Sequence, residues 1–168
     1  MPLAEVNLLD EDAFVATFGD IAEHSPWVAA SAAETRPYAS RSDMIAAFRA
    51  AVAGAGPERQ RALLLAHPDL AGRAAIAGEL TRDSRREQTG AGLDRLTPEE
   101  FTRFSHLNET YRQRHGIPFI LAVRGATKDD ILAALAERMD SPPEVEFATA
   151  LTQVGRIIGF RIEDRVAP

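Results

Sequence analysis

Three short runs in the middle of this 168-residue chain carry side chains that a hydrophobic core does not ask for: His67-Pro68-Asp69-Leu70, Ser84-Arg85-Arg86-Glu87-Gln88 and Gly116-Ile117-Pro118-Phe119-Ile120. An imidazole, an acid in an arginine-rich turn and an apolar stretch with a stiff entry are what a small-molecule site uses: a proton carrier near neutral pH, a polar grip and a wall. His67 leads the set. Proline at 68 disfavours helical backbone at the residue before it, so a helix arriving through Leu63, Leu64 and Leu65 has to stop near His67. A ring at a helix terminus can project into a cavity as a general acid or base. The other histidines carry less, His24 and His106 falling on predicted helices and His115 beside a helix-ending glycine.

Ser84 followed three residues later by Glu87 has the spacing of a capping box, which satisfies backbone donors at a helix start. The same start presents N–H groups that suit an anionic or carbonyl-bearing ligand, so a structural and a binding role are compatible there. Arg161 lies among Ile158, Phe160 and Ile162, and by local sequence it reads as a rim residue, stem on apolar surface and charge in water. His67 and Asp69 form only a weak metal pair. No second histidine follows at helical spacing and the chain has no cysteine, so no metal is expected. Gly54-Ala55-Gly56 and Gly90-Ala91-Gly92 read as loop or helix-end glycines, without the Lys-Ser or Lys-Thr of a phosphate loop.

The elements that must position these residues are helical. Asp10 or Asp12 can cap a helix burying Phe14, Phe18 and Ile21; Ser25-Pro26 starts a second with Trp27 and Val28, ended by Pro37. Ser42 opens a third through Met44, Ile45, Phe48 and Val52, and Pro57 a fourth. Thr97-Pro98-Glu99-Glu100 is a strong start signal for a helix burying Phe101, Phe104, Leu107 and Tyr111 and ending near His115-Gly116. Thr127 opens the next, and Pro142-Pro143 leads into a last helix through Phe147, Leu151, Val154, Ile158 and Ile162. Only residues 118–123 read as extended, and one such run makes no sheet. The expectation is an all-α protein, residues 1–168 forming a single compact domain of about eight helices.

Hydrophobic residues make up 45% of the chain, enough for a core at this length. The formal charge of -6 argues against nucleic acid as a partner, since phosphate neutralisation needs a basic surplus on one face. The amino terminus carries acid where a secretory signal needs positive charge, and no apolar run approaches the roughly 20 residues of a membrane span, so no membrane partner and a cytoplasmic location are expected.

These motifs together resemble the OHCU decarboxylases, the 2-oxo-4-hydroxy-4-carboxy-5-ureidoimidazoline decarboxylases of urate breakdown. The likeness runs through His24-Ser25-Pro26-Trp27-Val28, His67-Pro68-Asp69-Leu70-Ala71-Gly72, Ser84 to Gln88 with Ala91-Gly92-Leu93-Asp94, Phe104, Leu107-Asn108, Tyr111, Gly116 to Ile120, Val123-Arg124-Gly125 and Thr127-Lys128. Four ordered motifs at matching spacing are far more specific than any one. The resemblance implies that His67, Glu87 and Arg161 are catalytic. It implies substrate contacts from Pro68, from Ser84, Arg85, Arg86, Glu87 and Gln88, and from Phe119, Ile120, Leu121, Ala122 and Val123, the last group largely through the backbone. It further implies a small-molecule substrate, (S)-allantoin as product, no cofactor and a homodimer. His115 stands where this family suggests an aromatic such as phenylalanine. Two other classes stay open at this point: a helical module that binds a ureide or a protein without turnover, and a metal-dependent hydrolase on a helical bundle, which a chelator would silence.

Overall fold

A computed structural model describes residues 1–168, and its regular structure is entirely helical. In chain order the helices are α1 (Leu3–Leu8), α2 (Glu11–Phe18), α3 (Trp27–Ala33), α4 (Arg41–Gly54), α5 (Pro57–Ala66), α6 (Arg73–Ala77), α7 (Arg82–Gly90), α8 (Pro98–His115), α9 (Lys128–Met139) and α10 (Pro143–Arg165). The count is ten because α1 and α6, of six and five residues, are too short to leave a periodic signal. The 118–123 run joins no strand ladder. No helix is long and apolar enough to cross a membrane.

The chain divides into two compact units, residues 1–66 with 154–168 and residues 67–153. In the first, α3 packs on both α2 and α4. Its alanines Ala29, Ala32 and Ala33 are buried, and small side chains there let the helices approach closely. Phe14 centres an aromatic cluster, its ring 4.9 Å from Phe18, 6.1 Å from Phe48 and 6.3 Å from Tyr38, with the Arg36 guanidinium 4.7 Å over its face. Val154, Ile158 and Ile162 recur at a spacing of four along α10 and are fully buried.

In the second unit, α8 and α9 pack together. Phe104, Tyr111, Ile117, Phe119, Ile131 and Leu135 are buried there. Thr97 and Thr127 cap α8 and α9 through reciprocal boxes with Glu100 and Asp130, as their spacing required. Gly116 ends α8 in the left-handed region at φ +66°, where a Cβ would be strained.

Three helix starts differ from the sequence expectation. Ser40, not Ser42, caps α4 by accepting from the Asp43 amide. Ser25 does not cap α3; its hydroxyl donates to the Glu23 carbonyl at 2.9 Å. Thr81 caps α7 by accepting from the Ser84 amide at 3.4 Å, so Ser84 lies inside the helix and its pairing with Glu87 is not a capping box. At α4 and α7 two hydroxyls compete locally and the one at the break takes the cap; at α3 no side chain caps the start, because the Ser25 hydroxyl turns back to the Glu23 carbonyl.

Candidate functional site

His67 follows the last residue of α5, where Pro68 requires the break, and it is buried. The loop it opens is pinned by side chains from two helices. Gln88 of α7 accepts from the Ala71 amide at 3.0 Å, Asn108 of α8 donates to the Leu70 carbonyl at 2.8 Å, and Arg112 of α8 donates to the Asp69 carboxylate at 2.8 Å. Ala71 takes φ +53°, a left-handed conformation that costs a residue with a Cβ about 1–2 kcal/mol. The bonds at 69, 70 and 71 hold that strained turn. Asp69 is thus spoken for by Arg112, and no three His, Asp or Glu side chains converge as metal ligands.

Helical geometry splits the Ser84–Gln88 run between two faces. Ser84 and Gln88 are buried and Glu87 half-buried, positions three and four apart that share a stripe. Arg85 and Arg86 are exposed; Arg85 donates to the Gly78 carbonyl at 2.8 Å, and Arg86 lies 3.9 Å from Asp83. A cavity of about 460 Å³ runs along the Arg85, Gln88 and Thr89 side of α7 with Ala71, Leu93, Leu96 and Phe101, and neither His67 nor Glu87 lines it. The Ser84 amide is taken by the Thr81 hydroxyl and the Arg85 amide by the Thr81 carbonyl at 2.9 Å, so this segment offers side chains and not the unpaired amides of an uncapped helix start.

The Phe119–Val123 segment is held from outside. Arg138, in the last turn of α9, donates to the Ile120 carbonyl at 2.7 Å and stacks 4.6 Å over the Phe119 ring. The same guanidinium donates through Nε to Glu146 at 2.9 Å, and the Tyr111 hydroxyl bonds the same Glu146 oxygen. Burial first, and the Glu146 hydrogen bond next, push the Tyr111 phenol well above the ordinary tyrosine range, so it remains a donor. Tyr111 also meets Phe119 edge-on at 5.3 Å and His115 at 4.4 Å, which is where an imidazole replaces the expected phenylalanine. Gln153 accepts from the Ala122 amide at 3.1 Å. Phe119, Ile120, Ala122 and Val123 are buried and Leu121 is half-buried. Pro68, next to His67, is half-buried.

Arg161 belongs to the first unit, and it is no rim residue. Its side chain is 1% exposed, and Nη1 donates to Glu23 Oε2 at 2.9 Å and to the Ile21 carbonyl at 3.2 Å. A local reading could not see Glu23, which lies 138 positions away. Glu23, Arg112, Arg138, Glu146 and Gln153 are polar residues that sequence reasoning passed over. Arg138 and Glu146 sit in the last turn of one helix and the first turn of another, where cations and acids are ordinarily explained by the helix dipole.

Residues 7–163 match the family model described as OHCU decarboxylase. The 2-oxo-4-hydroxy-4-carboxy-5-ureidoimidazoline decarboxylase of Haloferax volcanii is 44% identical over 165 residues, 98% of this chain and 96% of that protein. The Mus musculus protein of the same name is 38% identical over 98% of this chain and 92% of its own length. Among solved structures, an (S)-allantoin synthase superposes with a TM-score of 0.80 at 32% identity; the match covers 99% of this chain and 54% of that one. With a family model spanning nearly every residue and relatives alike from end to end, this chain belongs to the OHCU decarboxylase family.

Proposed function

We propose that this protein is a carboxy-lyase that converts 2-oxo-4-hydroxy-4-carboxy-5-ureidoimidazoline to (S)-allantoin in urate degradation, with residues 1–168 acting as one functional domain. The observation that carries the reading is the end-to-end family match, whose span of residues 7–163 takes in the positions of His67, Glu87 and Arg161. The pinned loop after His67 supports it, because a proton-transfer group has to be held in place.

The substrate carries its carboxylate on a carbon that also bears a hydroxyl and adjoins a ring C=N bond. When the bond to the carboxylate breaks, carbon dioxide leaves and the electron pair moves into the C=N, whose nitrogen takes up a proton. The hydroxyl then loses its proton to become a carbonyl, and a proton arrives on the neighbouring carbon, which becomes the stereocentre. The substrate's own imine is the electron sink, so the protein's task is orientation and proton delivery to one face. His67 exchanges the proton between hydroxyl and intermediate, a role worth about 10² to 10⁴ in rate. Glu87 orients the ring or ureido N–H groups from the stripe it shares with Ser84 and Gln88. Arg161 meets the carboxylate; too firm a grip there would stabilise the ground state and oppose the loss of neutral carbon dioxide. Pro68 and the Phe119–Val123 backbone supply the wall. Arg85 and Arg86 add contacts from the exposed side of α7. The family resemblance further suggests a cytoplasmic homodimer, which light scattering on the purified protein tests.

The substrate is unstable and is generated in place from urate with an oxidase and a hydroxyisourate hydrolase, while allantoin chirality is followed by circular dichroism. Spontaneous decay gives racemate, so an optical signal that requires this protein supports the reading and its absence overturns it. His67→Asn is expected to lower stereospecific turnover by at least about 10²-fold. Turnover within threefold of wild type would remove His67 from the proton path.

A further inference from the structure

Stability is a weak reason for the buried pair Glu23–Arg161. Both side chains are 1% exposed, and two charges taken that far from water recover little beyond their desolvation cost; apolar residues of similar volume often serve a fold as well or better. Apolar contacts and a surface ion pair also dock this stretch of α10. Val154, Ile158 and Ile162 are fully buried on the same helix, and one turn further Arg165 pairs with Asp20 at the surface, side chains 24% and 65% exposed. Asp20 and Glu23 therefore bind arginines four apart on α10, one at the surface and one buried.

The turn that presents Glu23 is itself built with care. The Ile21 amide bonds the Phe18 carbonyl at 3.0 Å, the Ser25 amide bonds the Ala22 carbonyl at 3.0 Å, and the buried Ser25 hydroxyl locks the Glu23 carbonyl at 2.9 Å. His24 between them stands at φ +47°, which sends its own side chain to solvent while its two neighbours face inward. The His24-Ser25-Pro26 motif, which no part of the proposed reaction uses, acquires a purpose from this geometry.

We propose that Glu23 is a positioning residue for Arg161: its carboxylate fixes the guanidinium and offsets its charge, so that Arg161 orients the substrate carboxylate without holding it as a full ion pair. The proposal rests on the reading that Arg161 meets that carboxylate. An opposite charge within about 4–6 Å typically shifts the affinity of a neighbouring group for charge by tenfold or more, so removing the Glu23 charge should strengthen the grip on anions by about that factor.

The test uses the full chain and two probes, allantoate as an anionic ureide and (S)-allantoin as a neutral one, with calorimetric binding alongside steady-state kinetics. Glu23→Gln is expected to bind allantoate about tenfold tighter with allantoin unchanged within twofold, and to lower kcat and KM together. Glu23→Asp keeps the charge but retracts it, and should move both readouts in the same direction by about two- to threefold. It also serves if the glutamine variant does not fold. A structural role predicts lower thermal stability with both probes affected alike or not at all, and either result overturns the proposal. Arg161→Gln separates the two layers: if it leaves allantoate affinity unchanged, the contact between Arg161 and the carboxylate is wrong and the proposal falls with it. If Arg161→Gln abolishes the preference for allantoate but Glu23→Gln does not sharpen it, only the role of Glu23 fails.

Discussion

Replacing Gln88 by methionine keeps the length and burial of the side chain and deletes one bond that matters, the acceptor for the Ala71 amide at 3.0 Å. Ala71 is buried, and an N–H that loses its acceptor there costs about 1–3 kcal/mol. The second contact of Gln88, with the Asp69 carbonyl at 3.5 Å, is beyond the usual 2.7–3.2 Å range and adds little. Ala71 can escape the penalty only by leaving its left-handed conformation at φ +53°, which reroutes the loop that begins at His67. At roughly 2–4 °C per kcal/mol for a chain of this size, the melting temperature should fall by about 3–10 °C. A displacement near 1 Å at a proton-transfer group costs about 10²-fold, so kcat/KM should drop by about 10- to 100-fold. Thermal melts and the chirality assay measure both. The double variant with Ala71→Gly completes a cycle, because glycine carries no left-handed strain; the two changes should couple by more than about 0.5 kcal/mol. A Gln88→Met protein within 0.5 kcal/mol and twofold of wild type would refute the claim that this glutamine holds the His67 loop.

Three further outcomes follow from the same structure. Arg138→Met strands the buried Glu146 carboxylate and should cost about 3–5 kcal/mol, whereas the double variant with Glu146→Gln, which removes both charges, should recover part of it; a double variant no better than the single would mean that packing and not charge is at stake. His24→Gly removes a left-handed Cβ at an exposed site and should raise stability by about 1 kcal/mol; a lower melting temperature would show that the imidazole has contacts that outweigh the strain. Burial raises both tyrosines of this chain, Tyr38 and Tyr111, above the ordinary range near 10. The folded protein should then show little tyrosinate absorbance at pH 10 to 10.5, and because the unfolded chain releases those protons first, stability should fall as pH rises through and above about 10. A full two-tyrosine signal without unfolding would contradict the buried phenols.

The sequence alone determined what is settled within about four residues along the chain. Proline at 68 stops α5 at Ala66, the threonines at 97 and 127 open α8 and α9 with acids three positions on, and Gly116 closes α8. Helical spacing of Phe104 and Tyr111, or of Val154, Ile158 and Ile162, marked the buried stripes before any coordinates were needed. The family resemblance then implied His67, Glu87 and Arg161 as the catalytic set, the first two from motifs and Arg161 from the hydrophobic pattern of the last helix. Competition between neighbouring caps blurred the starts of α4 and α7, because Ser42 and Ser84 have the right chemistry and only backbone conformation selects among candidates, while at α3 the Ser25 hydroxyl goes to the Glu23 carbonyl and caps nothing. Tertiary structure decided the partners of charge. Arg161 looks like a rim residue and Arg138 and Glu146 like helix-dipole complements until the fold removes their water and sets an opposite charge against each. Periodicity records which face of a helix is dry; it does not record which ion waits across the gap, and for a buried charge that partner determines both its cost and its use.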